Sequence, residues 1–252
     1  MIIDTHHHWM PKKQFQDLDK LMRKGEHVTR DKWGVAHLWR NGIHVTAPGP
    51  LWCDLERQVD DMDAAGIDMA ILSLAGTHEW TTSRTAPYIN DCTSEAVQKY
   101  PGRFEGLCHV SLEGRASLKE LERAIKELGF LGVNITTHIG YRGTPADTER
   151  FWPFWEAVAD LDTPVVVQPY GYPAESKPLA GLPILSTLVR LDNVLRFMMR
   201  IVYGPLLDKF PTLRILCPHI GGGFFAVMSR MAPGLRAFLS GEIPFDQLDE
   251  RQ

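Results

Sequence analysis

DTHHHW, residues 4–9, follows the apolar residues Met1 to Ile3 and places three histidines in a row at the end of a first β-strand, read as Met1 to Asp4. A doubly wound nucleotide-binding sheet would follow that strand with a glycine-rich turn. Here the turn is rich in histidine, which favours a barrel. Side chains alternate across a strand, so His6 and His8 point one way and His7 the other. At the C-terminal end of a barrel strand, one of those directions is the mouth, where active sites of that fold lie. Two neutral imidazoles aimed into one cavity suit zinc or a similar ion; alternatively, the histidines cap the strand by bonding to backbone carbonyls. A purification tag would carry more histidines and would not continue an apolar strand.

Working outward, five more apolar runs read as strands: Asp68 to Leu74, Phe104 to Val110, Leu131 to Ile135, Pro164 to Gln168 and Leu213 to Cys217. Segments with apolar residues at three- and four-residue spacing separate them, at Asp54 to Ala65, Pro87 to Tyr100, Ser117 to Leu128, Thr148 to Leu161 and Leu185 to Phe210. Alternating strands and helices imply an α/β fold with a parallel sheet. Residues 11–53 have no strong period and read as an insertion or lid over a single domain spanning 1–252.

Composition narrows the function. With 252 residues and 44% hydrophobic content, the chain can bury a sizeable core. A net charge of −4 supplies no whole-chain basic face for a phosphate backbone, so nucleic acid is not expected as a partner. No window reaches the roughly 20 apolar residues of a membrane span. The four cysteines are widely spread, which suggests reduced thiols in a cytoplasmic protein.

A second histidine-bearing cluster, CPHIGGGFF at 217–225, follows the sixth strand. His219 stands at the strand end, and Gly221 to Gly223 permit a tight turn or a close backbone approach to a ligand; a plain glycine-rich helix entry is the alternative. His78 and Trp80 after the second strand and His138 after the fourth could face the mouth, or be ordinary loop residues. Arg142, Tyr170 and Tyr172 could line a pocket for an aromatic acid. Cys217 and His219 share a strand parity, but no orienting carboxylate accompanies them and a strand cysteine is usually core.

Taken together, IDTHHHWMP, ERQVDDMDAAGID leading into AILSL, YPGRFEGL, LGVNITTHIGY and FPTLRILCPHIGGGFF resemble the amidohydrolase superfamily, in the branch of aminocarboxymuconate semialdehyde decarboxylase and related aromatic-acid decarboxylases. The resemblance covers nearly the whole chain. It implies a TIM-type (β/α)8 barrel, with His6 and His8 as ligands of a divalent metal ion, zinc first and manganese or magnesium as alternatives. The family's third ligand is a histidine ending the fifth strand, and an aspartate after the eighth is another. His219 matches a proton donor or acceptor rather than a ligand, a role that suits an imidazole near neutrality. A small-molecule carboxylic acid substrate and a homodimer are also implied.

The chain departs from that pattern in three ways. Gln168 in PVVVQPYG stands where the family has histidine, and an amide is a weaker ligand. Only 33 residues follow His219 (252 − 219), too few for two more strand-helix units of about 30 residues each, so the barrel is expected to be cut short after the sixth strand. Asp246, Asp249 or Glu250 could stand in for the missing carboxylate, though no spacing argues for it. Thr46 falls at or near the place of a substrate-gripping arginine, with Arg40 further upstream. The expectation is a metal-dependent, non-oxidative decarboxylase of a small aromatic or enoic acid, with a metal-dependent hydrolase, or a non-catalytic binding subunit, as rival readings.

Overall fold

In a computed structural model, the structure describes residues 1–74, 76–140, 143–169 and 185–228. Six parallel strands form the main sheet in the order β1 (Ile3–Trp9), β5 (Met69–Leu74), β6 (Phe104–His109), β7 (Gly132–Thr136), β10 (Val165–Gln168) and β11 (Ile215–Leu216). Every neighbouring pair in this sheet is parallel. Helices α2 (Leu55–Ala65), α3 (Ala86–Lys99), α4 (Gly114–Lys126), α5 (Trp152–Asp160) and α6 (Leu185–Tyr203) link them. Asp54 caps α2, its side chain accepting from the Arg57 N–H, and Gly66 closes that helix at φ 70°.

The sheet curls strongly. His6 on β1 and Gln168 on β10 are four strands apart, about 19 Å in a flat sheet, yet their side chains meet at 3.1 Å. Only closure toward a barrel brings those ends together, so the six strands form a half-barrel with an α/β architecture. Valines and phenylalanines from β7, β10, α5 and α6 fill one core cluster, and Trp9, Met62, Leu72 and Phe104 fill another under α2 and α3.

Three expectations change. The first strand does not end at Asp4 but runs through all three histidines to Trp9, because His7, His8 and Trp9 pair with Leu72, Ser73 and Leu74. One extra residue between Asp4 and His7 makes a bulge, held by Asp4 Oδ1 accepting the His6 N–H. The last long helical segment divides at Gly204-Pro205 into α6 and α7 (Leu206–Lys209), since proline has no N–H to continue a helix. The region after β1 is not irregular: after the short helix α1 (Lys12–Gln16) it builds an antiparallel sheet of β2 (Glu26–Arg30), β3 (Ala36–Arg40) and β4 (Ile43–Thr46). The small pair β8 (His138–Ile139) and β9 (Thr144–Pro145) completes the strands.

A buried ion-pair network ties the three-stranded sheet to the barrel. Arg40 on β3 is 1% exposed, with Nε 2.7 Å from Glu26 Oε1 and Nη2 2.8 Å from Glu79 Oε2 in the loop after β5. Burial alone would raise the Glu26 pKa, but hydrogen bonds from Trp80, the Arg23 backbone and Arg40 outweigh it and hold this carboxyl below its usual value. The guanidinium cannot be removed without stranding two buried carboxylates. Arg40→Ala is therefore expected to cost about 3–5 kcal/mol in urea unfolding. Because the Glu26 pKa is depressed on folding, its contribution is present above about pH 4.5, the ordinary glutamate value, and is lost as pH falls through its lower folded value. A stability curve of Glu26→Gln that keeps the wild-type acid slope would contradict this.

Candidate active site

The C-terminal ends of the strands open into a cavity of about 380 Å³. β1 contributes His6 and His8, β4 and the following residue contribute Thr46 and Ala47, and β10 contributes Gln168. His44 on β4, Arg190 on α6 and His219 after β11 extend the polar wall, with Trp52, His78, Thr136 and Glu79, the ion-pair partner of Arg40, beside them. His7 turns to the other face, where its Nδ1 lies 2.9 Å from Asp4 Oδ2 and its ring packs near Phe104.

The two cavity histidines of β1 meet edge to face, with ring centroids 4.7 Å apart. Burial lowers the proton affinity of His6, partly opposed by Asp4. Burial, then the charges of His6 and Arg190, push His8 down to about 4. Both rings are thus neutral at pH 7, the form that ligates a metal. The Gln168 amide lies against His6 Nε2, and Ser73 Oγ is 3.4 Å from His8 Nδ1. Two close, neutral imidazoles fit a divalent ion, with the Gln168 amide oxygen as a weaker third donor. Among the described residues, no group of three His, Cys, Asp or Glu side chains is gathered at metal-binding spacing.

Among the described residues, Arg190 is the one arginine or lysine that lines the cavity. Its guanidinium is half-buried and pairs with no carboxylate among the described residues, and burial lowers its pKa. His219 sits at φ 54° at the start of a tight turn, and its proton affinity is lowered by burial, then by His6 and Arg190. That turn is seated on α6: a Cβ on Gly222, at φ 64°, would stand 2.2 Å from the Leu191 carbonyl oxygen and 2.5 Å from the Leu195 nitrogen. Glycine is therefore required for the close approach that sets His219 beside Arg190.

The chain belongs to the amidohydrolase family. The family's pattern matches residues 3–250. Among relatives, the gamma-resorcylate decarboxylase of Polaromonas sp. is 33% identical over 67% of the chain and 56% of its own length. The 2-keto-4-carboxy-3-hexenedioate hydratase of Sphingobium sp. is 30% identical over 72% of the chain and 58% of its own length. This amidohydrolase thus spans a little over half the length of those relatives. The structure of 5-carboxyvanillate decarboxylase from Novosphingobium aromaticivorans, with manganese and 4-hydroxy-3-methoxy-5-nitrobenzoic acid, superposes with a TM-score of 0.72 at 26% identity, over 97% of this chain and 72% of the other.

Several residues singled out in the sequence fall elsewhere. Trp80 is 3% exposed in a core cluster, its Nε1 donating to Glu26 Oε2 at 2.8 Å, so it does not line the cavity. His138 also lies off the cavity wall, with Nδ1 3.1 Å from Thr137 Oγ1. Arg40 is engaged in the ion-pair network described above, whereas Thr46 does line the cavity. His78 does line the cavity, partly buried, with its ring centroid 5.3 Å from that of His109. Arg142, Tyr170, Tyr172, Asp246, Asp249 and Glu250 lie outside the described residues. Among the cavity residues not foreseen are His44, Trp52, Glu79, Thr136 and Arg190. The seating of His219 is testable: Gly222→Ala should lower Tm by about 4 °C or more, and an unchanged Tm would show that α6 does not hold the turn.

Proposed function

We propose that this amidohydrolase works as a divalent-metal-dependent, non-oxidative decarboxylase of a small aromatic carboxylic acid. The observation that carries the reading is Arg190, a half-buried guanidinium without a carboxylate partner among the described residues, in the same cavity as the His6 and His8 pair. A buried cation of this kind invites an anionic ligand, and the planar guanidinium matches a carboxylate in two-point contact. The names of the decarboxylase relatives support the reaction class, and the manganese in the Novosphingobium structure supports the ion.

His6 and His8, with Gln168, would hold the ion; zinc or manganese suits two imidazoles completed by oxygen donors. When bound, the ion supplies Lewis-acid polarisation of substrate oxygens. Arg190 holds the substrate carboxylate. His219, as imidazolium, gives its proton to the ring carbon that bears the carboxyl group. The carbon–carbon bond then breaks, its electron pair returns to the ring and carbon dioxide leaves, so one proton enters for each carbon dioxide released. A lowered pKa makes the His219 imidazolium the stronger donor.

The test is carbon dioxide release by the manganese-loaded protein from a panel of hydroxybenzoates. Arg190→Ala is expected to raise KM about 30-fold or more, the cost of stranding a buried charged partner. His219→Asn should lower kcat by about 100-fold or more with KM little changed. Unchanged KM in the Arg190 variant would remove the carboxylate-anchor role, and a metal-loaded protein that releases no carbon dioxide from any acid would remove the decarboxylase reading.

A further inference from the structure

The three-stranded sheet brings a further histidine to the cavity, and this one arrives with its own partners. His44 on β4 lines the cavity wall, and its Nε2 lies 3.2 Å from Nδ1 of His37 on the adjacent strand β3. On the far side, His37 Nε2 lies 3.5 Å from Asp31 Oδ2, an ion-pair distance. The carboxylate is fixed in the turn between β2 and β3. Its Oδ1 accepts the backbone N–H groups of Trp33, at 2.9 Å, and Val35, at 3.0 Å, which leaves Oδ2 for His37. The Trp39 ring on β3 stands edge-on to His44 at 5.0 Å and stacks on His27 of β2, so the His44 ring has an aromatic neighbour on the adjacent strand.

We propose that His44 is a general base of this site, taking the proton of a hydroxyl group on an aromatic acid substrate, with His37 and Asp31 as the residues that position it and set its tautomer. The proposal rests on the decarboxylase reading. A carboxylate can only accept, so His37 carries its proton on Nε2, toward Asp31. Nδ1 of His37 is then the acceptor, and His44 must donate to it from Nε2. Nδ1 of His44 is left as the lone-pair nitrogen of a ring on the cavity wall. A carboxylate fixing a histidine tautomer through a line of hydrogen bonds is a general way of making an imidazole a base.

The ring's surroundings agree with that role. Burial, then the charges of His37 on β3 and Arg190 on α6, lower the proton affinity of His44 and keep it neutral at pH 7. In the reaction, the substrate O–H bond breaks, the proton joins His44 Nδ1 and the electron pair stays on oxygen. Negative charge then enters the ring and raises electron density at the carbon that His219 protonates. The proton returns from Nδ1 to the product oxygen, and His44 ends neutral, as it began.

Nitrogen-15 NMR of labelled histidine side chains tests the tautomer without reference to turnover, with His44 assigned by the signals lost in His44→Gln. The wild-type protein should show His44 with its proton on Nε2. Asp31→Asn, whose amide can donate to His37 Nε2, should move the His44 proton to Nδ1. Both variants should lower kcat on hydroxylated acids about 100-fold at little-changed KM. A wild-type Nδ1–H tautomer, a tautomer indifferent to Asp31→Asn, or an undiminished kcat in His44→Gln would each overturn the base role. A wild-type protein inactive on every hydroxylated acid would overturn the decarboxylase reading and the base role with it, whereas an active wild type with a fully active His44→Gln overturns the base role alone.

Discussion

The contact between His6 and Gln168 is the constraint on which the rest of the site depends. These residues are 162 positions apart in sequence, and they touch because the parallel sheet curls until its first and fifth strands face each other across the mouth. Parallel strands joined by helices all end at the same rim, so side chains at the ends of β1, β10 and β11 converge without any local sequence relation. The bulge in β1 adds to this by re-aiming the histidine run just before the mouth, with Asp4 holding its backbone. If the curl opened, the His6 and His8 pair, the Gln168 amide and His219 would separate together.

Two additions complete the cavity from outside the sheet. The antiparallel sheet β2 to β4 supplies Thr46 and His44, and it is anchored by the Arg40 ion pairs to Glu26 and Glu79. Helix α6 supplies Arg190 and, through the close approach of Gly222, carries the turn that bears His219. Charge follows from these positions: Arg190 lowers the proton affinity of His8, His44 and His219 alike. The neutral imidazoles of His6, His8 and His44 beside this cation make a cavity suited to an anionic ligand, and electrostatic preorganisation of this sort is commonly the largest contribution to catalysis.

Much of this was legible in the sequence, for identifiable reasons. The six parallel strands are short apolar runs between helices with strong periodicity, so β5, β6, β7 and β10 fall within two residues of the sequence reading. The facing of His6 and His8 follows from strand parity. The antiparallel sheet was missed although Asn41-Gly42 carries the dipeptide of a tight hairpin, with φ of 50° and 79°, between AHLWR and IHVT. Its strands mix His, Arg, Thr and Trp on both faces, which hides the two-residue period. Arg190 could not be found from periodicity, because which side of α6 meets a cavity is decided by tertiary packing. Trp80 looked like a mouth residue since it follows β5, but Glu26 on another strand draws its indole into the core.

Isotope analysis of the product formed in deuterium oxide tests the central claim most directly. The manganese-loaded protein, given a hydroxylated aromatic acid, should release one carbon dioxide and leave one deuterium on the ring carbon that lost the carboxyl group. A product that keeps its carboxyl group and gains the elements of water, as the hydratase relative's name would suggest, would contradict it.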